Sequence, residues 1–158
     1  MHDPCVKYSY ITRNAFVLQR AGGRVYATQV LDAFYTRADP GVSAELARQN
    51  GETLVVVETD LADGFMPPSL SGTYSVYAID RRSHHAVPRN LFMDRGTLTN
   101  EFQYGQYLLD DEELAKQWHA PELVRNGRLL PQFYVYTLDD NKFTRDTYVW
   151  NGKYYAVQ

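Results

Sequence analysis

A single cysteine, Cys5, stands among 158 residues, so no intrachain disulfide can form and a small cross-linked scaffold is excluded. No apolar run approaches the ~20 residues that a membrane-spanning helix needs. No charged-then-apolar leader opens the chain. Lysine is scarce, four residues against twelve arginines, and the net charge of −3 argues against a dedicated nucleic-acid binder.

Catalytic and cofactor signatures are missing as well. Gly41-Val42-Ser43-Ala44-Glu45 begins like a nucleophile elbow but lacks the closing glycine and a preceding strand, so Ser43 reads as a helix N-cap. Cys5 stands too near the start of the chain to be held rigidly for Cys-His catalysis. Ala21-Gly22-Gly23-Arg24 is too short for a phosphate cradle, and no cofactor is implied. His84 and His85 are adjacent, so their side chains diverge, while His2 and His119 are solitary; no metal site is expected. Asp60, Asp63 and Gly64, like Asp139-Asp140-Asn141, offer oxygen ligands without the full calcium-loop pattern, and surface-turn chemistry explains them.

What is present describes a globular chain. Its 44% hydrophobic and 22% charged residues suit a single domain over residues 1–158 with a real core. The unusual feature is 13 tyrosines. Tyrosine fits half-buried sheet faces and contact surfaces, because its ring is apolar and its hydroxyl seeks a partner. The opening MHDPCVKYSY fits a mature exported chain whose leader was replaced by Met1, and fits a native cytosolic start equally well. The expected location is periplasmic or secreted, with cytoplasmic as the alternative.

Helical spacing of Ala27, Val30, Leu31, Phe34 and Tyr35 predicts a helix over Arg24–Arg37, and a short second one over Ser43–Gln49. Asp110 and Glu113 form a capping pair for a third helix running to His119, with Leu109 and Leu114 as a hydrophobic staple. Strands are expected at Thr53–Thr59 and Thr73–Ile79, joined by a loop over Asp60–Gly72. At the C-terminus, Phe133–Leu138, Lys142–Trp150 and Lys153–Val157 should form a three-stranded antiparallel meander. A two-residue type I′ turn at Asn151-Gly152 would set Trp150 opposite Lys153 and Tyr148 opposite Tyr155. Alternation then places Tyr148, Trp150, Tyr155 and Val157 on one face. The fold class expected is α+β, an antiparallel sheet flanked by two or three helices.

Tyr148-Val149-Trp150-Asn151-Gly152-Lys153-Tyr154-Tyr155 resembles the terminal hairpin of small exported bacterial inhibitor and immunity-type domains. Val30-Leu31-Asp32-Ala33-Phe34-Tyr35 is similar to the first helix of cone-shaped nuclear-transport-factor-2-like domains. Neither resemblance supplies catalytic residues. Arg81, Arg82, His84, His85, Arg89 and Arg95 form a basic cluster in an otherwise acidic chain, suited to carboxylates on a partner protein. The leading expectation is a non-catalytic protein-binding domain, an inhibitor or immunity protein that masks a secreted toxin or hydrolase. Its contacts would be Tyr148, Trp150, Tyr155, Arg81, Arg82 and Arg89. The alternative is a cone-like α+β domain, a small-ligand binder or an enzyme, with a cavity lined by Phe34, Tyr35, Tyr136 and Trp150.

Overall fold

The computed structural model describes residues 11–35, 41–62, 69–107, 113, 116–139 and 142–158. Its strands are β1 (Ile11–Ala21), β2 (Arg24–Tyr35), β3 (Gly41–Gln49), β4 (Glu52–Ala62), β5 (Ser69–Ile79), β6 (Ala86–Pro88) and β7 (Phe92–Asp94). There follow β8 (Thr97–Thr99), β9 (Glu101–Tyr107), β10 (Val124–Arg125), β11 (Arg128–Leu129), β12 (Gln132–Asp139), β13 (Lys142–Trp150) and β14 (Tyr155–Val157). The described elements are all strands, which overturns the α+β expectation. Among the described residues no helix is long and apolar enough to cross a membrane.

The two N-terminal helices expected from spacing are strands β2 and β3. In β2, Tyr26, Thr28 and Val30 are half-buried while Val25, Ala27 and Gln29 are exposed. That is a period of two, carried by β-branched and aromatic residues that favour the pleated surface. Gly22-Gly23, read as the approach to a helix, is a two-residue hairpin turn in which both residues have positive φ (55° and 77°) and Ala21 pairs with Arg24. Asn50-Gly51 joins β3 to β4 in the same way, with Gln49 paired to Glu52. The third expected helix, Leu109–His119, falls largely outside the described residues. The expected loop at Asp60–Gly72 is shorter than supposed, because β4 runs on to Ala62 and β5 begins at Ser69.

The C-terminal strands run antiparallel in the order β12-β13-β14. The turn between the last two differs from the sequence reading. Trp150 pairs with Tyr155 and Tyr148 with Val157, two positions from the expected register. Asn151 causes this: its Oδ1 accepts the N–H groups of Lys153 and Tyr154, both at 3.0 Å, and widens the connection. A shift of two preserves the faces. Tyr148, Trp150 and Tyr155 therefore still share one side of the sheet, and that side is the core.

A seven-stranded sheet has the order β10-β11-β3-β4-β5-β6, with β9 also on β5; a five-stranded sheet has the order β12-β13-β14-β7-β8; β1 and β2 form a separate hairpin. The two larger sheets share one core. Leu54, Val56 and Val76 come from the first, and Phe92, Phe133 and Tyr155 from the second. Phe133 stacks on Tyr148 (centroids 5.0 Å, planes 6° apart) and meets Phe102 and Tyr155 edge-on at 5.1 Å. Each such pair adds about 0.5–1.5 kcal/mol beyond the area it buries.

Tyrosine hydroxyls fasten the surrounding segments. Tyr155 donates to the Leu130 carbonyl (2.6 Å), Tyr74 to the Pro121 carbonyl (2.6 Å) and Tyr77 to the Val30 carbonyl (2.9 Å). Tyr104 crosses Gly72 to donate to Glu58 Oε1 at 2.6 Å. A Cβ at Gly72 would lie 2.3 Å from the Tyr104 hydroxyl and 2.8 Å from the Thr59 carbonyl oxygen, so glycine is needed there for space.

Two predictions result. Gly72→Ala should destabilise the protein by about 1–3 kcal/mol, read from urea melts, because both the tyrosine and the backbone must give way. Tyr155→Phe should lose ~1–2 kcal/mol by leaving the Leu130 carbonyl unpaired. Burial, joined at Tyr74 by the charge of Glu58, pushes the Tyr74 and Tyr155 phenols well above the ordinary tyrosine value. Their folded values exceed the unfolded one, so this stabilisation is intact below about pH 10 and is lost as pH rises toward the folded values. The urea midpoint should fall above that pH, and less steeply in Tyr155→Phe.

Candidate functional site

β5 ends at Ile79, and the chain turns back through residues 80–85 before β6. Asp80 organises the turn. Its Oδ2 accepts the Ser83 N–H at 2.7 Å and the Ser83 hydroxyl at 2.6 Å. Its backbone carbonyl accepts the His84 N–H, and its own N–H donates to the His85 carbonyl, both at 2.9 Å. The hydrogen bonds from Ser83 hold the Asp80 carboxyl below the usual carboxylate range. Arg81 and Arg82 are carried at the exposed tip.

Behind the tip, the two histidines seat the β1–β2 hairpin. Tyr26 lies against the rings of His84 (4.9 Å) and His85 (5.7 Å). Thr28 Oγ1 accepts the Ala86 N–H at 2.9 Å and lies 3.1 Å from His85 Nδ1. The hairpin thereby brings Gln19 to the turn, and the Asn50-Gly51 turn brings Glu52. Together these segments enclose an open cleft of about 710 Å³. Gln19, Asn50, Glu52, Arg81, Arg82 and Arg89 line it, over an apolar floor that includes Ile79 and Val87.

Charge in the cleft is unevenly satisfied. Arg89 Nε donates to Glu52 Oε2 at 3.0 Å, so that pair is internally balanced. Asp80 is committed to Ser83. Neither Arg81 nor Arg82 forms an ion pair with the described residues. Two forked donors thus face solvent above an apolar floor, a combination suited to carboxylates on a surface that also brings apolar atoms.

A second, smaller cleft of about 200 Å³ shares Asn50, Glu52 and Arg89 with the first and adds Leu54, Leu91 and Trp150. Trp150 is half-buried, and here its accessible side meets the arginine region. Of the six contact residues expected from sequence, Arg81, Arg82 and Arg89 line the larger cleft, and Arg89 and Trp150 line the smaller one. Tyr155 is wholly buried (0% exposed), so its ring serves the core in the folded protein. Tyr148 is half-buried against Phe133 and opens into a different hollow beside Met93 and Glu101. Arg95 leaves the basic cluster and occupies the two-residue turn between β7 and β8.

Other candidates also resolve. Ser43 lies within β3, with its hydroxyl 3.4 Å from Glu58 Oε2, and caps no helix. Among the described residues, no three His, Cys, Asp or Glu side chains gather as a metal site. Cys5, His2, Asp63, Asp140 and Asn141 lie outside the described residues. The cavity expected between Tyr136 and Trp150 is ruled out by register. Tyr136 pairs with Arg145, on the sheet face opposite the one carrying Trp150 and Tyr155. Sequence reasoning missed Gln19, Asn50 and Glu52. Their signal was the Gly-Gly and Asn-Gly pairs, which bend two hairpins toward the same place. Compared with known proteins, the chain matches no family model, no curated protein and no solved structure.

Asp80 yields a prediction without reference to any ligand. Its folded pKa lies below the ordinary value, so its contribution to the turn is present above about pH 4 and disappears as pH falls through the folded value. The protection factor of the Ser83 amide, the ratio by which it exchanges more slowly than in an unstructured peptide at the same pH, should be high at neutral pH and fall as the pH drops below about 4, and Asp80→Ala should show little protection at either pH.

Proposed function

We propose that this is a non-catalytic protein-binding domain of the inhibitor or immunity type, which masks an acidic patch on a partner protein. The carrying observation is the pair of adjoining clefts, whose shared residues Asn50, Glu52 and Arg89 link the cleft lined by Arg81 and Arg82, neither in an ion pair with a described residue, to the one lined by the half-buried Trp150. Arginine and tryptophan are the side chains that most often dominate the energy of protein interfaces. In this arrangement Arg81 and Arg82 receive carboxylates from the partner, and the Trp150 cleft takes an apolar side chain. The cone-shaped alternative is not carried forward, because the segment that suggested it is strand β2.

The deciding experiment compares the wild-type chain with Arg81→Glu/Arg82→Glu as bait in lysate and secreted fractions of the source cell. The expected result is one stoichiometric acidic protein retained by the wild type and lost by the variant. Affinity for that protein, once purified, should fall roughly a hundredfold or more, because each reversal sets like charges against each other. Equal retention by both baits, with circular dichroism showing both folded, would discard the arginine assignment.

A further inference from the structure

Among the described residues, no strand pairs with the outer edge of β3 between Gly41 and Leu46. Residues Gly41–Leu46 are all exposed, with Val42 at 40% and Leu46 at 65%. β11 pairs with this edge at Arg48, whose N–H donates to the Gly127 carbonyl at 2.9 Å, and Gly127 itself lies beside the Leu46 carbonyl. Backbone groups alternate sides along a strand, so Val42, Ala44 and Leu46 turn their N–H and C=O groups to the same outer edge as Arg48. Their side chains also share one sheet face, and Ser43 and Glu45 occupy the other. Natural sheets usually blunt such an edge with proline, lysine or a bulge, and β3 carries none of these between Gly41 and Leu46.

We propose that a second copy of this chain covers the edge by antiparallel pairing of β3 with β3, the two-fold axis passing at Ala44. The strand is self-complementary about that residue. Val42 falls opposite Leu46 of the second copy, and Leu46 opposite its Val42, giving a continuous apolar row on one face. On the other face Ser43 falls opposite Glu45, so a hydroxyl meets each carboxylate. Val42, Ala44 and Leu46 then exchange all their outward backbone hydrogen bonds with the second copy. Neighbouring registers are worse. An axis at Glu45 sets two carboxylates directly opposite each other. An axis at Ser43 leaves Leu46 with no partner in β3 of the second copy, because that strand begins at Gly41. The paired sheets run continuously through both copies. A short edge-to-edge contact of this kind belongs to the weak, transient class of interfaces.

Sedimentation equilibrium of the full chain across the micromolar range tests the proposal. The wild type should show a monomer–dimer equilibrium. Ala44→Pro removes an outward N–H without touching the β3–β4 ladder, and should be monomeric with an unchanged circular dichroism spectrum. Val42→Lys/Leu46→Lys places lysine opposite lysine across the axis and should also be monomeric. Val42→Lys/Leu46→Glu places opposite charges there and should recover the dimer, which no register other than the one at Ala44 predicts. A wild type that stays monomeric throughout overturns the proposal and leaves the edge to a strand of some other protein. A dimer indifferent to the double-lysine change overturns it equally.

Discussion

Tyr155 is the residue on which the rest of the structure depends. Its N–H donates to the Leu91 carbonyl at 2.8 Å and aligns β14 parallel to β7. Its hydroxyl holds Leu130 at the entrance to β12, and its ring lies among Phe92, Phe133 and Trp150. One fully buried side chain thus joins three separate stretches of chain. A phenylalanine would keep the ring contacts and lose the tether, while a polar residue would open the centre of the core.

The same logic explains the abundance of tyrosine. A chain of short strands and many connections has many backbone carbonyls near its core, and each needs a donor. Tyr74, Tyr77 and Tyr155 each meet such a carbonyl from the far end of a ring that also fills apolar space. Tyr104 does comparable work for the Glu58 carboxylate, with Trp118 stacked beside it. The tyrosines best placed by sequence to seem like contact anchors are therefore in large part internal fastenings. In the binding mode proposed above, Arg81, Arg82 and Trp150 are the groups that meet the partner.

The clefts owe their shape to hairpins. Gly-Gly and Asn-Gly turns take positive φ at both positions, which matches the twist of the strands they join and folds each pair tightly back. Tyr26 and Thr28 then dock the first hairpin on the turn after β5, where Asp80 holds Arg81 and Arg82 outward. The arginine tip is therefore positioned by contacts from β2 and from its own turn, and neither is adjacent to Arg89 in sequence. Arg89 is fixed separately, by its N–H to the Val76 carbonyl and by Glu52.

Much of the central sheet was legible in sequence. The β-branched run at Thr53–Thr59, the strand at Thr73–Ile79 and the long C-terminal strands all declare themselves by composition. Tyr148, Trp150 and Tyr155 keep their shared face even though the turn is wider than expected, because a shift of two leaves alternation intact. The basic cluster was visible too, although its members were not sorted. In β2 and β3 the local pattern misled: the helical spacing of Ala27, Val30 and Leu31 masked the alternation of Tyr26, Thr28 and Val30, and strand pairing overrode propensity. By itself, then, the sequence determined the strands at Thr53–Thr59, Thr73–Ile79 and the C-terminus, the place of the Asn151-Gly152 turn and the supply of arginine and tyrosine, since these depend on local sterics and side-chain chemistry. Only tertiary structure decided which tyrosines are core, that Arg89 shares a cleft with Trp150, and which strand edge no other described strand covers. Those outcomes depend on pairings between residues far apart in the chain, which no local pattern encodes.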